Sequence, residues 1–223
     1  MVEAGRIDHA GHANDVATGV GEVLEYNDAM EVAVRFSERD GRTLVVGTSD
    51  HDTGGLTVGC CDVYTGYGRT MDVKGILGMR MSGEQMAIDL ENGTSVMDVM
   101  DEFEVTEVME VLQRAGVPSE KIAETDFSDA ISAFQNSRIL QIGQHPDTAV
   151  EQDYIRDFRV LARTISNLFV AGWTTYQHTG GDVNIYSHGV GSDMFKGVLD
   201  NSEVGQRIIS LLRVNAGLNA AFL

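Results

Sequence analysis

Candidate metal ligands of this chain stand in three short phrases that lie far apart in the sequence. The phrases are Glu-Ala-Gly-Arg-Ile-Asp-His-Ala-Gly-His at 3–12, Thr-Ser-Asp-His-Asp-Thr-Gly-Gly at 48–55 and His-Thr-Gly-Gly-Asp-Val at 178–183. No contiguous binding loop could use all three phrases. A large α/β fold could, because it gathers side chains at the ends of different strands. The ligand pattern therefore constrains the fold as well as the chemistry.

The side-chain types in these phrases indicate divalent metals. Imidazole and carboxylate without thiolate suit hydrolytic zinc, and carboxylate oxygens also suit magnesium. A single histidine or glutamate of this kind would usually be structural or solvent-exposed, so the prediction depends on the whole set. The candidate ligands are Glu3, Asp8, His12, Asp50, His51 and His178.

Composition and charge exclude several classes of function. With 223 residues, of which 43% are hydrophobic and 22% charged, the chain is long enough for one large domain or two small ones. Its formal net charge of −18 repels nucleic acid and anionic membranes. The same charge would repel an anionic substrate, unless bound cations invert the field locally. We therefore expect no nucleic-acid partner.

Cysteine usage and hydropathy predict neither disulfides nor a membrane anchor. Cys60 and Cys61 are the only cysteines, and adjacent cysteines rarely bridge each other. No run of about 18 apolar residues occurs, so we expect no transmembrane segment. The first residues lack the basic region and apolar core of a signal peptide, so we expect no targeting signal on this chain.

The first fifty residues follow the order of an open α/β sheet. Residues 1–7 predict a strand that leads into a loop, and residues 23–39 predict a helix from their apolar spacing. Residues 43–48 are short, apolar and β-branched, which is typical of a buried parallel strand. Asp50 and His51 follow directly, and binding groups in open α/β sheets stand at such carboxyl ends of strands.

The rest of the chain predicts strands and turns at 56–95 and then three helices, at 104–115, 119–140 and 148–170. Residues 182–187 predict a returning strand. Ser202 is predicted to cap a closing helix that turns four apolar side chains inward, namely Val204, Ile208, Ile209 and Leu212.

Residues 1–56 and 172–212 resemble the C-terminal half of an alkaline phosphatase, in the branch that includes fungal vacuolar enzymes and similar bacterial ones. The phrases Arg-Ile-Asp-His-Ala-Gly-His, Thr-Ser-Asp-His-Asp-Thr-Gly-Gly-Leu and His-Thr-Gly-Gly-Asp-Val-Asn-Ile-Tyr carry the resemblance. It implies an α/β fold, with part of a doubly wound sheet flanked by helices. By resemblance, residues 1–56 and 172–223 form the core, and residues 57–171 form an inserted, crown-like subdomain.

The resemblance also implies a three-metal site with two zinc ions and one magnesium. Carried over by position, the first zinc takes Asp8, His12 and His178, the second zinc takes Asp50 and His51, and the magnesium takes Glu3. Four other residues are not motif ligands. We interpret His9 and Asp52 as supports for the ligands, and His145 and His188 as surface histidines.

The activity implied by the resemblance is metal-dependent hydrolysis of small phosphomonoesters. A parent enzyme of this family is expected to be a homodimer and to be secreted, periplasmic or vacuolar. The family's nucleophile is a serine in an Asp-Ser-Ala phrase upstream of the metal motifs, and these 223 residues contain no such phrase. Ser128-Asp129-Ala130 has a different order. Because Met1-Val2-Glu3 reads like internal family text, we expect a C-terminal fragment that is inactive alone.

Two other classes of function remain open at the level of sequence. One is a metal-binding or dimerisation module without chemistry. The other is a relative with the same two-metal core, such as a phosphodiesterase or a phosphoglycerate mutase. The His-Thr-Gly-Gly-Asp-Val phrase favours alkaline phosphatase over these relatives.

Overall fold

The computed structural model describes residues 1–59, 70–93, 105–129, 131–133 and 149–212. Two compact units are present. Unit 1 comprises Met1–Glu25 and His51–Gly181, and unit 2 comprises Tyr26–Asp50 and Asp182–Leu223. These divisions do not coincide with the predicted core and insert, so the assignment of residues 57–171 to a crown-like subdomain stays a prediction.

Helices and short strands are interspersed along the chain, as an α/β fold requires. The helices are α1 (Arg6–Ala13), α2 (Val16–Asp40), α3 (Val73–Gly78), α4 (Gly83–Gly93), α5 (Val105–Arg114), α6 (Ser119–Glu124), α7 (Ala149–Leu168) and α8 (Asn201–Leu211), with a 3-10 helix at Ser192–Phe195. The strands are β1 (Leu44–Thr48), β2 (Asp52–Thr53), β3 (Leu56–Val58), β4 (Ala171–Trp173), β5 (His178–Thr179) and β6 (Ile185–Gly189). Within the described residues, no helix is both long and apolar enough to cross a bilayer.

The described strands form three antiparallel pairs, β1 with β6, β2 with β5 and β3 with β4. The strand predicted at 43–48 is therefore present, but its partner in the described residues runs antiparallel instead of parallel. Only Gly47 of β1 is buried. A short apolar run predicts a partly buried strand, but it does not predict whether the neighbouring strand is parallel or antiparallel.

The core of unit 1 lies where α4, α5 and α7 pack together beside β4. Its most deeply buried side chains come from several elements and include Met86, Leu112, Phe127, Leu161 and Phe169. Burying one such side chain stabilises the fold by about 1.5–3 kcal/mol. The helix predicted at 148–170 supplies its expected apolar stripe here, since Leu161 and Ile165 are buried.

The N-terminal segment is a helix, and the predicted strand at 1–7 is wrong. Helix α1 runs from Arg6 to Ala13, and Asn14 ends it in the left-handed conformation with φ of 57°. Ala10, Gly11 and Ala13 form its buried face. Small residues on one helical face allow close packing, and that pattern outweighs the local strand signal of the first residues.

Other helices were predicted with mixed success. The helices at 23–39, 104–115 and 148–170 are confirmed, although α2 begins earlier, at Val16. The prediction of strands and turns at 56–95 is wrong for α3 and α4. Met86, Ala87 and Leu90 of α4 are buried at helical spacing, a signal hidden among the glycines and methionines of this segment.

Two elements differ from the predictions in their boundaries. The helix predicted at 119–140 ends at Glu124, residues 128–129 and 131–133 are again helical, and residues 134–140 lie outside the described residues. The strand predicted at 182–187 is β6, which begins three residues later, at Ile185. In both cases the apolar pattern located the element but did not define its ends.

The cap of the closing helix is also corrected. Asp200, not Ser202, caps α8, because its side chain accepts from the backbone N–H of Ser202 within a capping box completed by Glu203. Ile209 is 42% exposed and Leu212 is 67% exposed, so these two side chains do not face inward as predicted. Val204 and Ile208 are half-buried.

Asp72 joins the start of α3 to neighbouring elements of unit 1. Its carboxylate accepts from the Gly75 N–H at 2.9 Å and lies 3.2 Å from Lys121 Nζ, which also donates to the Leu168 carbonyl at 2.9 Å. The Gly75 hydrogen bond, followed by the charge of Lys121, lowers the pKa of Asp72 below its ordinary value of 3.8. The ionised carboxylate therefore stabilises the folded state.

We expect Asp72→Ala to lower the free energy of unfolding by about 1 kcal/mol at neutral pH, the usual cost of losing a helix cap. Since the folded pKa is depressed, this stabilisation is present above pH 3.8 and is lost as the pH falls through the folded value. Urea unfolding of both proteins at neutral and acid pH measures the difference. Asp28→Ala, which removes an exposed carboxylate on α2, serves as the control with a smaller change. A difference that does not shrink in acid would contradict the assignment.

Candidate metal site

Asp8 and His12 occupy one face of helix α1. They stand four positions apart, so their side chains lie one helical turn apart on the same side. Asp8 Oδ1 and His12 Nε2 are 3.5 Å apart. Helix α1, which the sequence did not predict, is therefore the element that brings the first two candidate ligands together.

The third candidate ligand comes from the β2–β5 pair. In this pair Thr53 lies opposite His178, and Asp52 lies opposite Thr179. His178 Nε2 is 3.1 Å from His12 Nε2 and 3.6 Å from Asp8 Oδ1. The three side chains converge as the sequence predicted, and among the described residues they form a group able to hold a metal ion.

The geometry of this group fits zinc. The three ligand atoms form a triangle with sides of 3.1, 3.5 and 3.6 Å. Zinc bonds of about 2.0–2.1 Å at tetrahedral angles separate neighbouring ligand atoms by about 3.3–3.4 Å, a value inside this range. Two nitrogen ligands also suit zinc better than magnesium, which prefers oxygen in a tighter octahedron.

Hydrogen bonding fixes which nitrogen of His12 is available. His12 Nδ1 lies 2.6 Å from the carbonyl oxygen of Tyr176, and a carbonyl only accepts. Nδ1 must therefore carry a proton and donate it. In the neutral ring the lone pair is then on Nε2, which points at His178 and Asp8. A ligating histidine in proteins is held by the same kind of bond.

Two polar side chains, one half-buried and one buried, hold the loop that carries the Tyr176 carbonyl. Arg163 Nη2 donates to the Trp173 carbonyl at 3.1 Å, and the Arg163 guanidinium lies 5.4 Å from the centre of the Tyr176 ring. The Asn14 amide, with its nitrogen turned toward carbonyls, donates to Thr175 at 2.8 Å and to Gly11 at 3.0 Å. Asn14 therefore connects the end of α1 to this loop.

His51 lies beside the group and Thr53 connects the two. The imidazoles of His51 and His178 stack with their centres 3.5 Å apart. Thr53 Oγ1 donates to Asp8 Oδ1 at 2.6 Å and lies 3.2 Å from His51 Nδ1. His51 therefore lies next to the group of Asp8, His12 and His178 within unit 1.

Asp50 and Glu3 are the remaining candidate ligands. Asp50 is the last residue of its segment in unit 2, whereas His51 is the first residue of the following segment in unit 1. Glu3 is exposed near the N-terminus, and its carboxylate lies close to the backbone of Gly5. Their ligand roles stay predictions.

Of the four residues that were not predicted as metal ligands, three lie within the described residues, in different surroundings. Asp52 accepts a hydrogen bond from Thr179 at 2.5 Å on the face of the β2–β5 pair opposite to Thr53 and His178, so it braces the strands. His9 is exposed on α1. His188 is exposed in unit 2, 3.9 Å from Glu38, as predicted for a surface histidine. His145 lies outside the described residues.

The group remains reachable from solvent. The exposed fractions of the Asp8, His12 and His178 side chains are 36%, 26% and 50%. Three protein ligands with an open side are the arrangement of a catalytic zinc, whereas structural sites are closed by four. The site can therefore accept both a metal and a further small ligand.

Three groups that organise the site were not predicted from the sequence, namely Asn14, Thr53 and the carbonyl of Tyr176. Thr53 stands two residues after His51, but its single hydroxyl bond to Asp8 leaves no pattern in the sequence. Asn14 occupies the usual place of a left-handed helix cap, but the helix that it ends was itself not predicted. A backbone carbonyl has no side-chain signal to read.

Close packing of α1 on β2 depends on glycine at two positions. A Cβ on Gly11 would lie 2.9 Å from the Thr53 carbonyl oxygen and 3.0 Å from its Cβ. A Cβ on Gly54, whose φ is +84°, would lie 2.5 Å from the Trp173 ring and 2.8 Å from the Gly11 carbonyl. The backbones could not approach this closely with larger residues.

We expect Gly11→Ala to destabilise unit 1 by about 1 kcal/mol, because overpacking costs of about 1–3 kcal/mol exceed the gain in helix propensity of about 0.5–1 kcal/mol. The matched control is Gly21→Ala in α2, where a Cβ meets nothing within 4 Å. This control should be neutral or stabilising. Thermal unfolding of both variants compares them, and equal melting temperatures would refute the packing argument.

Comparison with known proteins identifies the family. The family model for alkaline phosphatase matches residues 1–214. Alkaline phosphatase 3 of Bacillus subtilis is 28% identical over 221 residues, which are 98% of this chain and 41% of that protein. The alkaline phosphatase of Schizosaccharomyces pombe is 30% identical over 218 residues, which are 96% of this chain and 36% of that protein.

Solved structures agree with this assignment. A cold-active alkaline phosphatase from a Shewanella species matches 95% of this chain and 44% of its own, with a TM-score of 0.67 and 28% identity. The alkaline phosphatase of Thermus thermophilus has the same fold, with a TM-score of 0.63 and 22% identity, over 94% of this chain and 42% of its own. The chain spans about two fifths of the length of the relatives it matches. This chain belongs to the alkaline phosphatase family.

Proposed function

We propose that this chain provides the histidine and carboxylate zinc site of an alkaline phosphatase, a metal-dependent phosphomonoester hydrolase. The observation that carries the proposal is the triangle formed by Asp8, His12 and His178, with sides of 3.1–3.6 Å. Family membership supports the reaction class. The two nitrogen ligands and the spacing of the three atoms support zinc as the metal.

The charge of the chain supports a role for bound cations. A phosphomonoester is an anion, and a surface of net charge −18 would repel it. Divalent ions held at carboxylates reverse the local field, so an anionic substrate becomes attractive at that point. When bound, zinc supplies a Lewis acid that polarises a phosphoryl oxygen and stabilises developing charge.

The residues of the chain have distinct parts in this proposal. Asp8 supplies the negative charge that offsets the metal, while His12 and His178 supply neutral nitrogen ligands. The Tyr176 carbonyl orients His12 by accepting its Nδ1 proton. Stacking against His51 restricts the ring of His178. Together these contacts hold the ligand atoms in place before a metal arrives, which limits the cost of ordering them on binding.

The remaining metal assignments extend the proposal. Asp50 and His51 would contribute to a second zinc, and Glu3 to a magnesium, as the resemblance implies. His51 is supported by its place beside His178. For Asp50 and Glu3 the support is their place in the family's motifs alone.

No residue of this chain is proposed as the nucleophile. The 223 residues contain no Asp-Ser-Ala phrase, and Ser128 is exposed with its backbone N–H bonded to Asp126. We propose that the chain corresponds to a metal-binding part of the longer enzyme and is inactive alone. The lack of an Asp-Ser-Ala phrase in these 223 residues also supports a second candidate function, a metal-binding module without hydrolysis.

We expect titration of the metal-free chain with zinc to show one site clearly tighter than any other. His178→Ala should weaken that site by about 100-fold or more, because losing a direct ligand costs at least as much as losing a hydrogen-bonding partner of one. A competition assay with a chromophoric chelator measures the affinity. His188→Ala, which removes an exposed histidine in unit 2, is the matched control and should leave the affinity unchanged. Two equally tight sites, or an unaffected His178→Ala, would overturn the proposal.

We expect the purified chain to hydrolyse a chromogenic phosphate ester roughly 10⁴-fold or more slowly than alkaline phosphatase 3 of Bacillus subtilis, because removing a nucleophile commonly costs that much. The assay uses alkaline buffer with added zinc and magnesium. Any residual rate should disappear with a chelator and in His178→Ala. Rapid turnover, or a trapped phosphoserine, would show that the nucleophile lies on this chain, and Ser128 would be tested first.

A further inference from the structure

One hydroxyl group stands between the two sets of candidate ligands. Thr53 Oγ1 lies 2.6 Å from Asp8 Oδ1, in the first set, and 3.2 Å from His51 Nδ1, in the second. We infer that Thr53 is a positioning residue, which directs the lone pairs of Asp8 and fixes the tautomer of His51. The inference rests on the proposed zinc site for its functional meaning.

The protons available to each group determine which one donates in the hydrogen bonds of Thr53 to Asp8 and His51. A threonine hydroxyl has one proton to donate, and an ionised carboxylate can only accept. The Thr53 proton therefore goes to Asp8, and the distance of 2.6 Å is typical of a hydroxyl bonded to a carboxylate. The Thr53 oxygen then offers only lone pairs to His51. His51 Nδ1 must carry a proton, which leaves Nε2 as the ligand atom of the neutral ring.

The position of the hydroxyl is itself held by packing. Threonine is branched at Cβ, so few side-chain rotamers are open to it in a strand. The backbone of α1 at Gly11 packs against the Cβ and Cγ2 of Thr53, where even one added carbon would lie within 3.0 Å. The β2–β5 register also places Thr53 opposite His178. The orientation of Oγ1 is thus imposed by α1 and β5 together.

Losing the Thr53 hydroxyl should weaken metal binding. Removing a group that hydrogen-bonds to a metal ligand typically costs 10–100-fold in affinity. Thr53 contacts two candidate ligands, so its loss removes a constraint from each. A purely structural threonine would change stability without changing the protonation pattern of His51.

The test compares Thr53→Val, which keeps the shape and removes the hydroxyl, with Thr53→Ser, which retains the hydroxyl. Thr179→Val is the matched control, because it removes a hydrogen bond of 2.5 Å to Asp52 on the other face of the same strand pair. Zinc affinity is measured by chelator competition. Nitrogen-15 NMR of the metal-free protein in alkaline buffer reports the tautomer of His51, and thermal unfolding reports stability.

We expect Thr53→Val to weaken zinc binding about 10–100-fold, Thr53→Ser to recover most of it, and Thr179→Val to leave it within about twofold. In the wild-type chain the His51 proton should be on Nδ1, and in Thr53→Val this preference should be lost. A wild-type proton on Nε2 would overturn the inference, even if Thr53→Val failed to fold. Unchanged zinc affinity in a folded Thr53→Val would overturn it as well. A wild-type chain that binds no zinc would instead refute the proposed function, and the tautomer would still decide the role of Thr53.

Discussion

The register of the two-residue pair β2–β5 is the constraint on which the site depends. It places Thr53 opposite His178 and Asp52 opposite Thr179, although the paired residues are far apart in the chain. A shift by one residue would turn His178 to the opposite face of the pair, because side chains alternate along a strand. So short a pair cannot define its own register through backbone bonds alone. The packing of α1 against Thr53 supplies what the backbone lacks.

The site also depends on two backbone carbonyl groups. The carbonyl of Tyr176 sets the tautomer of His12, and the carbonyl of Thr175 accepts from the buried Asn14 amide that ends α1. The helix and the loop therefore hold each other in place around His12. In a chain of net charge −18, this arrangement presents imidazole nitrogens next to a carboxylate at the point where a cation is proposed to bind. The local structure and the overall charge favour the same class of ligand.

The sequence was most informative about chemistry and long helices, and least about short elements. Asp8, His12 and His178 were expected together because the resemblance to the family's motifs implied it, and their ligand atoms do lie within 4.8 Å of one another. Helix α7 followed from its apolar stripe. Helix α1 was missed because its buried face consists of alanine and glycine, which carry little hydrophobic signal. The antiparallel partner of β1 was missed because strand direction depends on a segment far along the chain. Thr53 was overlooked because its role arises from one hydroxyl bond that no composition or periodicity predicts.

X-ray absorption spectroscopy of the chain loaded with one equivalent of zinc would identify the ligands of the tightest site. We expect a shell of nitrogen and oxygen ligands at about 2.0–2.1 Å, with an imidazole signature that is reduced in His178→Ala. We expect no sulfur ligand, although Cys60 and Cys61 are present in the chain. A zinc–sulfur distance of about 2.3 Å would contradict the proposed zinc site, as would an imidazole shell that persists unchanged in His178→Ala.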